Sequence, residues 1–339
     1  MGFKILGVDT SCDDTSLALL AIEGEKFKAL DHFVSFQKVH QKYGGVYPFL
    51  AKREHKKNLP LLLKRIKEKF ELLAVTVGPG LEPCLWAGIE FTKNLARKSD
   101  LPIVPVNHLE AHILVNFFEF PLSKVKFPAV SLVVSGGHTQ LILMEKIGKY
   151  KLIGETRDDA AGECLDKVAR LLGLGYPGGP AIEKFSKLKI KNQKLKIVLP
   201  RPMIDQKNYD FSFSGLKTAV LYDFLKRPER VRESRDYKIL MAKEVQQAVI
   251  DVLVFKTLRA IVEFGAKSVI FGGGVAANDE LRRQFLKISK AKKLNQQILF
   301  PKKELCTDNG LMVALSGYFH QEEATKEFDK IIARANLKI

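Results

Sequence analysis

Phe3-Lys4-Ile5-Leu6-Gly7-Val8-Asp9-Thr10-Ser11-Cys12-Asp13-Asp14-Thr15-Ser16-Leu17-Ala18-Leu19-Leu20-Ala21-Ile22 opens the chain. An apolar run of strand length, residues 3–8, ends in an acid. A polar turn follows, and a second apolar run, residues 16–22, leads back. This reads as a β-hairpin whose turn is loaded with hydroxyls and carboxylates. Working outward, residues 29–35 are a third strand candidate. An amphipathic helix is expected over about residues 48–70, with Leu59, Leu62, Leu63 and Ile66 on one side and lysines on the other. Strand 72–77, a Gly78-Pro79-Gly80 turn, a helix to about residue 98 and strand 102–106 complete the first part.

The later part repeats that order. Strand 129–134 leads through a glycine-rich turn into strand 140–145, with 150–154 as a third candidate. Helical segments follow, the longest at about 235–263. Strand 268–271, a Gly272-Gly273-Gly274 turn, a helix from Asn278 and strand 297–300 close the copy, and a last helix lies near 308–320. The halves share element order, with negligible sequence identity. Parallel core strands need crossover helices, and both halves supply them. The fold class expected is α/β: a duplicated actin/sugar-kinase-like (ASKHA) fold, two lobes with a nucleotide cleft between them and both hairpin turns facing it. The expected lobes are residues 1–125 with 309–339, and residues 126–308. Two unrelated α/β domains are the competing reading.

A chain of 339 residues with 46% hydrophobic content can fill such a core and is not globally disordered. No apolar run approaches the roughly 20 residues needed to cross a bilayer, and the N-terminal run reads as a strand rather than a signal peptide. A soluble, cytoplasmic protein with no membrane partner is expected. Four scattered cysteines form no CxxC pair, which speaks against a cysteine zinc site or a disulfide framework. The net charge of +17 favours a polyanionic partner such as RNA, with a lysine-rich solvated surface as the plainer alternative. Lys184, Lys187, Lys189, Lys191, Lys194 and Lys196 form one cluster. Lys287, Lys290, Lys292, Lys293, Lys302 and Lys303 form another. Both suit phosphate tracking.

The two hairpin turns, Asp9 to Thr15 and Ser135-Gly136-Gly137-His138-Thr139, occupy equivalent places in the repeat. Glycine lets backbone N–H groups approach a phosphate, and hydroxyls add neutral donors. Two ordinary polar turns are the alternative. A third glycine cluster, Gly272-Gly273-Gly274-Val275-Ala276-Ala277-Asn278, follows a strand and opens a helix with Asn278 as the expected N-cap. It is not GxGxxG, so a Rossmann site is not indicated. Tyr176-Pro177-Gly178-Gly179-Pro180 is a tight turn suited to close ligand approach or to nothing more than a loop.

His108-Leu109-Glu110-Ala111-His112 puts two imidazoles one helical turn apart, able to share a metal. Asp308 is the candidate third ligand, with an N-cap as its competing role and Cys306 as a substitute ligand. A zincin protease would need its glutamate directly after the first histidine. Glu110 is instead rotated about 200° from His108 around the helix and is poorly placed to activate a bound water.

These motifs, in order, resemble the tRNA threonylcarbamoyladenosine transferase family, bacterial TsaD branch, once called glycoprotease. The resemblance runs from about Ile5 to Leu315. It is carried by residues 7–15, His40-Gln41-Lys42-Tyr43-Gly44-Gly45-Val46, Gly78-Pro79-Gly80-Leu81 and Val106-Asn107-His108-Leu109-Glu110-Ala111-His112. It continues through Val134-Ser135-Gly136-Gly137-His138-Thr139-Gln140, Asp158-Asp159-Ala160-Ala161-Gly162-Glu163, Phe211-Ser212-Phe213-Ser214-Gly215-Leu216-Lys217-Thr218, residues 272–278 and Cys306-Thr307-Asp308-Asn309. It implies one divalent ion, iron or zinc, on His108, His112 and Asp308. It implies substrate contacts from Val133, Val134, Ser135, Gly136 and Gly137, and from Asp166, Gly179, Glu183 and Asn278. Where the family usually has Asp, this chain has Glu183; where it usually has Glu, this chain has Asp9 and Asp14. After Gly80 it has Glu82-Pro83-Cys84 in place of glycine and serine.

The implied reaction moves a threonylcarbamoyl group from threonylcarbamoyl-AMP to the exocyclic amine of the adenosine 3′ of the anticodon in tRNAs reading ANN codons, and releases AMP. ATP, ADP or AMP would fit the same nucleotide cleft. His138 is the candidate for proton handling, with packing or a contact to the metal's surroundings as competing roles; Asp9 and Asp14 are the other candidate catalytic groups. The family works with a paralogous helper of the same fold (TsaB type) and a small P-loop ATPase (TsaE type), with the donor made by a separate synthase. A helical face at about 48–70 or at about 83–98 is the expected docking surface. A sugar-kinase-type small-molecule kinase and a nucleotide-switched assembly platform are the alternative functions.

Overall fold

The structure, a computed structural model, describes residues 2–190 and 195–339; Lys191 and Lys194 of the first lysine cluster lie outside the described residues. In chain order the main elements begin with β1 (Phe3–Asp9), β2 (Asp14–Glu23), β3 (Lys26–Phe36), α1 (Pro48–Leu63), β4 (Leu72–Gly78), α2 (Glu82–Ser99), β5 (Ile103–Asn107) and α3 (His108–Leu114). Next come β6 (Ala129–Val134), β7 (Thr139–Lys146), β8 (Lys149–Glu155), α4 (Ala161–Leu171), α5 (Gly178–Ser186), α6 (Ser214–Lys226), α7 (Glu229–Arg232) and α8 (Arg235–Glu263). The last are β9 (Ser268–Gly272), α9 (Asp279–Ala291), β10 (Gln297–Leu299) and α10 (Gly310–Phe319). The chain divides into two units, Met1–Val125 with Leu299–Ile339, and Lys126–Ile298. Residues 299–308, including Asp308, therefore belong to the first unit.

Each unit is built on one five-stranded sheet, β3-β2-β1-β4-β5 in the first and β8-β7-β6-β9-β10 in the second. β1 runs antiparallel to β2 and parallel to β4, and β6 runs antiparallel to β7 and parallel to β9. The same strand order occurs twice, which is the duplicated actin/sugar-kinase-like α/β fold. Among the described residues no helix is long and apolar enough to cross a membrane.

The sheet of the first unit is covered on both faces, and its side chains alternate accordingly. Ile5, Ala18, Leu20, Ala74 and Val104 join Leu311, Val313 and Leu315 of α10 in one core cluster. Leu6, Val8, Leu17, Leu19, Leu73 and Val75 join Leu59 and Leu62 of α1 and Leu85 and Ile89 of α2 in the other. Each Val, Leu or Ile side chain among them contributes about 1.5–3 kcal/mol on burial. α10 lies close on β1: a Cβ at Gly7 would collide with the Gly310 carbonyl oxygen. The Gly310 N–H donates to Ser16 Oγ at 2.8 Å. This fixes the start of α10, and with it Asp308, against the β1–β2 hairpin.

Two elements differ from expectation. The first helix stops at Leu63, short of residue 70. Pro60 sits inside it and lacks the N–H that would bond back one turn, which weakens the last turn. Ile66 and Phe70 still pack on the core as irregular chain. The last helix starts at Gly310, because Asn309 caps it, its side chain accepting from the Met312 N–H at 2.9 Å.

Candidate functional site

The His pair opens α3, directly after β5. Asn107 caps the helix, its side chain accepting from the Leu109 N–H (2.9 Å) and the Glu110 N–H (3.3 Å). That cap fixes the first turn, and the two imidazoles stack edge-on with ring centroids 4.6 Å apart. Asp308 meets them: its Oδ1 lies 3.4 Å from His108 Nε2 and 3.2 Å from His112 Nε2. Ligand atoms about 2.1 Å from one tetrahedral ion lie about 3.4 Å from each other, so these separations fit a shared divalent metal. The ligand atoms of all three residues fall within 4.8 Å of one another, and Cys306 is not in the group. The cap role is filled by Asn309, which leaves the Asp308 carboxylate to the imidazoles.

The β1–β2 turn supports the triad. Ser11 Oγ lies 3.2 Å from Asp308 Oδ2 and 3.1 Å from Asp9 Oδ2. Asp9 is fully buried and accepts from Thr76 Oγ1 at 2.6 Å. Its Oδ1 faces His108 Nδ1 at 3.7 Å. Both Nδ1 atoms of the pair are buried without a hydrogen-bond partner among the described residues. For His108, the proton that a Nε2 ligand carries on Nδ1 would face a carboxylate, the usual outer partner of a ligating histidine.

Electrostatics agree with a cation site. Burial by itself would lower the His108 imidazole, but the Asp308 and Asp9 carboxylates outweigh it and push the group up to about 10. His112 is lowered by its burial against those same carboxylates. Burial would raise Asp308, yet the two imidazoles hold it well below the usual carboxylate range. In the turn, Asp14 is pushed up to about 8 by burial and by the carboxylates of Asp13, Asp308 and Asp9. Glu110 is turned to a different partner: its Oε1 pairs with His320 Nε2 at 2.8 Å.

In the second unit the β6–β7 turn is closed by the Ser135 N–H donating to the His138 carbonyl (2.8 Å) and the His138 N–H donating to Ser135 Oγ (3.1 Å). Val133 and Val134 are buried strand residues that anchor it, and His138 is half-buried. The turn is also bonded to α4, because the Gly162 N–H donates to the Ser135 carbonyl and the Ala161 N–H to Thr139 Oγ1. Gly136 and Gly137 are exposed, and a Cβ on either would meet open space.

The remaining predicted contacts lie at the starts of α5 and α9 or hold them. Asp166 Oδ1 accepts the Gly178 N–H at 2.6 Å, which holds the first turn of α5 against α4. Gly179, next along, has open space where a Cβ would stand. Glu183 Oε1 accepts the Asp279 N–H at 3.1 Å, so the longer side chain reaches the first amide of α9. Asn278 caps α9 through the Leu281 N–H and donates to Gln246 Oε1. Glu82-Pro83-Cys84 starts α2, and the Cys84 carbonyl accepts from Thr10 Oγ1 in the β1–β2 turn.

The 158–163 and 211–218 motifs, far apart in the chain, join in the structure. Asp158 Oδ1 accepts the Phe213 and Ser214 N–H groups, and its Oδ2 accepts the Ser212 and Ser214 hydroxyls. Burial would raise this carboxyl, but those donors hold it below its usual value. Asp158 thus caps α6 from a distant loop, while Asp159 pairs with Lys167 and Lys217. Fully buried Lys256 of α8 donates to the Asn208 and Asp210 carbonyls just upstream. A signal existed only in the lone lysine on the apolar stretch of α8.

A sequence model of the TsaD family, tRNA N6-adenosine threonylcarbamoyltransferase, matches residues 28–315. The chain belongs to this family. It is 42% identical to the tRNA N6-adenosine threonylcarbamoyltransferase of Thermosipho africanus (strain TCF52B), over 99% of each chain. It is 45% identical to that of Thermotoga neapolitana, over 93% of each. It is thus a transferase of the tRNA-modifying TsaD family, with tRNA as its substrate. Solved structures add the fold alone. HypF of T. kodakarensis superposes with a TM-score of 0.57 at 16% identity, over 96% of this chain and 48% of that one. Component A of Acidaminococcus fermentans (R)-2-hydroxyglutaryl-CoA dehydratase gives 0.54 at 14% identity, over 94% and 99%.

Proposed function

We propose that this chain transfers the threonylcarbamoyl group from threonylcarbamoyl-AMP to N6 of the adenosine 3′ of the anticodon, in tRNAs reading ANN codons, and releases AMP. The observation that carries the reading is the His108, His112 and Asp308 convergence inside the region matched to the family. In the step, N6 bonds to the carbamoyl carbon, the bond from that carbon to the AMP oxygen breaks, and N6 loses a proton.

An iron or zinc ion on the triad would supply Lewis acidity toward a donor oxygen. Asp9 and Ser11 hold the ligands in place. The Gly136 and Gly137 amides, unobstructed by side chains, suit the donor phosphate and the charge that grows on it. Asp166, Glu183 and Asn278 fix the starts of α5 and α9, and Gly179 lets a ribose or base approach the backbone. Burial and the Asp13, Asp308 and Asp9 carboxylates push the Asp14 carboxyl up to about 8, which makes it a candidate proton donor near neutrality. His138 is the second candidate for the N6 proton. The exposed lysines of α9 and of residues 302–303 would meet tRNA phosphates. A same-fold helper would dock on the outer faces of α1 and α2, with a small P-loop ATPase and a separate donor synthase completing the system.

The test supplies the chain with tRNA, threonylcarbamoyl-AMP and the helper proteins, and reads threonylcarbamoyladenosine and AMP by mass spectrometry. Equimolar appearance of both is expected. No modified adenosine overturns the reading, and a phosphorylated small molecule without AMP points to the kinase alternative.

A further inference from the structure

Two histidines outside the triad, His40 and His55, are fully buried, and Gln37 between them is almost so. His55 stands on the core stripe of α1 with Ala51, Leu59 and Leu62. An aliphatic residue would fill that position without the cost of desolvating a ring with two polar atoms. Every polar atom of the three side chains is used, and the donor directions have one solution. The Cys12 carbonyl, 2.9 Å from His55 Nε2, can only accept, so Nε2 carries the hydrogen. His55 Nδ1 is then bare, and it accepts from Thr15 Oγ1 at 2.8 Å and Gln37 Nε2 at 3.3 Å. Gln37 Nε2 also donates to the Ala51 carbonyl. Gln37 Oε1 therefore faces His40 Nε2 at 2.9 Å, which must be the N–H, and His40 Nδ1 accepts the Tyr47 N–H at 3.4 Å.

This chain runs from the exposed loop carrying Tyr47 to the inner end of the β1–β2 turn. That turn is the one whose Ser11 touches Asp308 and whose Asp9 touches Thr76 and faces His108. Burial lowers the His55 imidazole, which keeps it in the neutral form that the hydrogen-bond directions require.

We propose that His55 is a positioning residue for the transfer reaction: with Gln37 and His40 it fixes the Cys12 to Thr15 side of the turn, and through Ser11 and Asp9 it sets the metal ligands Asp308 and His108. The inference rests on the metal-centre reading above. A residue that served only the core would change stability and nothing else.

The test uses the full chain. His55→Leu keeps the volume and removes both ring bonds, and His55→Gln restores a donor toward Cys12. Co2+ or Zn2+ affinity is titrated against a competing chelator, and kcat and tRNA KM are measured well below each variant's Tm. Folded His55→Leu should lose about tenfold in metal affinity, the scale of an outer-partner loss, with a matching fall in kcat and an unchanged tRNA KM. His55→Gln should recover most of it. Wild-type affinity and kcat in folded His55→Leu overturn the proposal, as does a loss confined to tRNA KM. If His55→Leu does not fold, Gln37→Leu and Thr15→Val are read by the same two measurements. Wild-type protein that binds no ion overturns the metal-centre reading itself and the inference with it.

Discussion

His112 Nε2 lies 3.2 Å from Asp308 Oδ1 across 196 residues of chain. The neighbouring residue, Asn309, takes the capping bond at the start of α10, and so the carboxylate is free to face the imidazoles. One position along the chain separates the capping side chain from the carboxylate that faces the imidazoles.

Asp308→Asn keeps the shape and removes the charge. Metal affinity should fall by more than about a hundredfold, beyond the effect of an outer partner, and modified adenosine should fall with it. Metal content of the purified protein and the transfer assay check both.

Asn309→Ala removes the cap and should cost about 1 kcal/mol of stability, read from the urea midpoint. Because Asp308 precedes the cap, metal affinity should weaken as well. A loss of stability with unaltered affinity would mean that the ligand is held by the Ser11 bond alone.

Asp14 has a folded-state pKa raised from 3.8 to about 8. Between those values the folded protein holds a proton that the unfolded chain has lost. The stabilisation is therefore complete below pH 3.8 and fades as the pH rises through 8. Asp14→Asn does not titrate. It should gain on the wild type steadily across that window and level off above it, as followed by Tm against pH.

Gly136→Ala and Gly273→Ala should separate function from folding. A Cβ at Gly136 meets open space, so stability should stay within about 0.5 kcal/mol while the KM for the donor rises. At Gly273, φ is +86° and a Cβ would strike the Val134 carbonyl. Gly273→Ala should lose about 1–3 kcal/mol or more, seen in thermal melts.

Asp158→Ala should unpin α6. Two backbone amides and two hydroxyls lose their acceptor, at a cost of about 1–3 kcal/mol. Amide hydrogen exchange should quicken at Phe213 and Ser214 first, with β1–β5 unaffected.

Much of this was legible in the chain. The apolar runs made both hairpins legible, because β1 with β2 and β6 with β7 are rich in buried apolar residues. The i, i+4 histidines were visible because α3 follows β5 without a loop. Asp308 was a candidate third ligand from its place after the last strand, with a cap as its rival role, and the resemblance implied the ligand role; Asn309 takes the cap and Asp308 faces the imidazoles. The overrun of α1 came from reading Ile66 and Phe70 as helical, when apolar residues pack equally well from irregular chain beyond a proline. The Asp158 cap on α6 was hidden because its partners lie more than fifty residues away. The Gln37–His40–His55 chain left one trace, a polar residue on an apolar helical stripe, and that trace is ambiguous until the partners are seen.

The first unit is interrupted between Val125 and Leu299 by the whole of the second. During synthesis His108 and His112 leave the ribosome long before Asp308 does. An ion that met the nascent chain early would find two imidazoles and no carboxylate, a weaker and less selective grip. A grip by all three side chains therefore has to wait until translation has passed Asp308, and a nascent chain cut short of that point would lack the carboxylate.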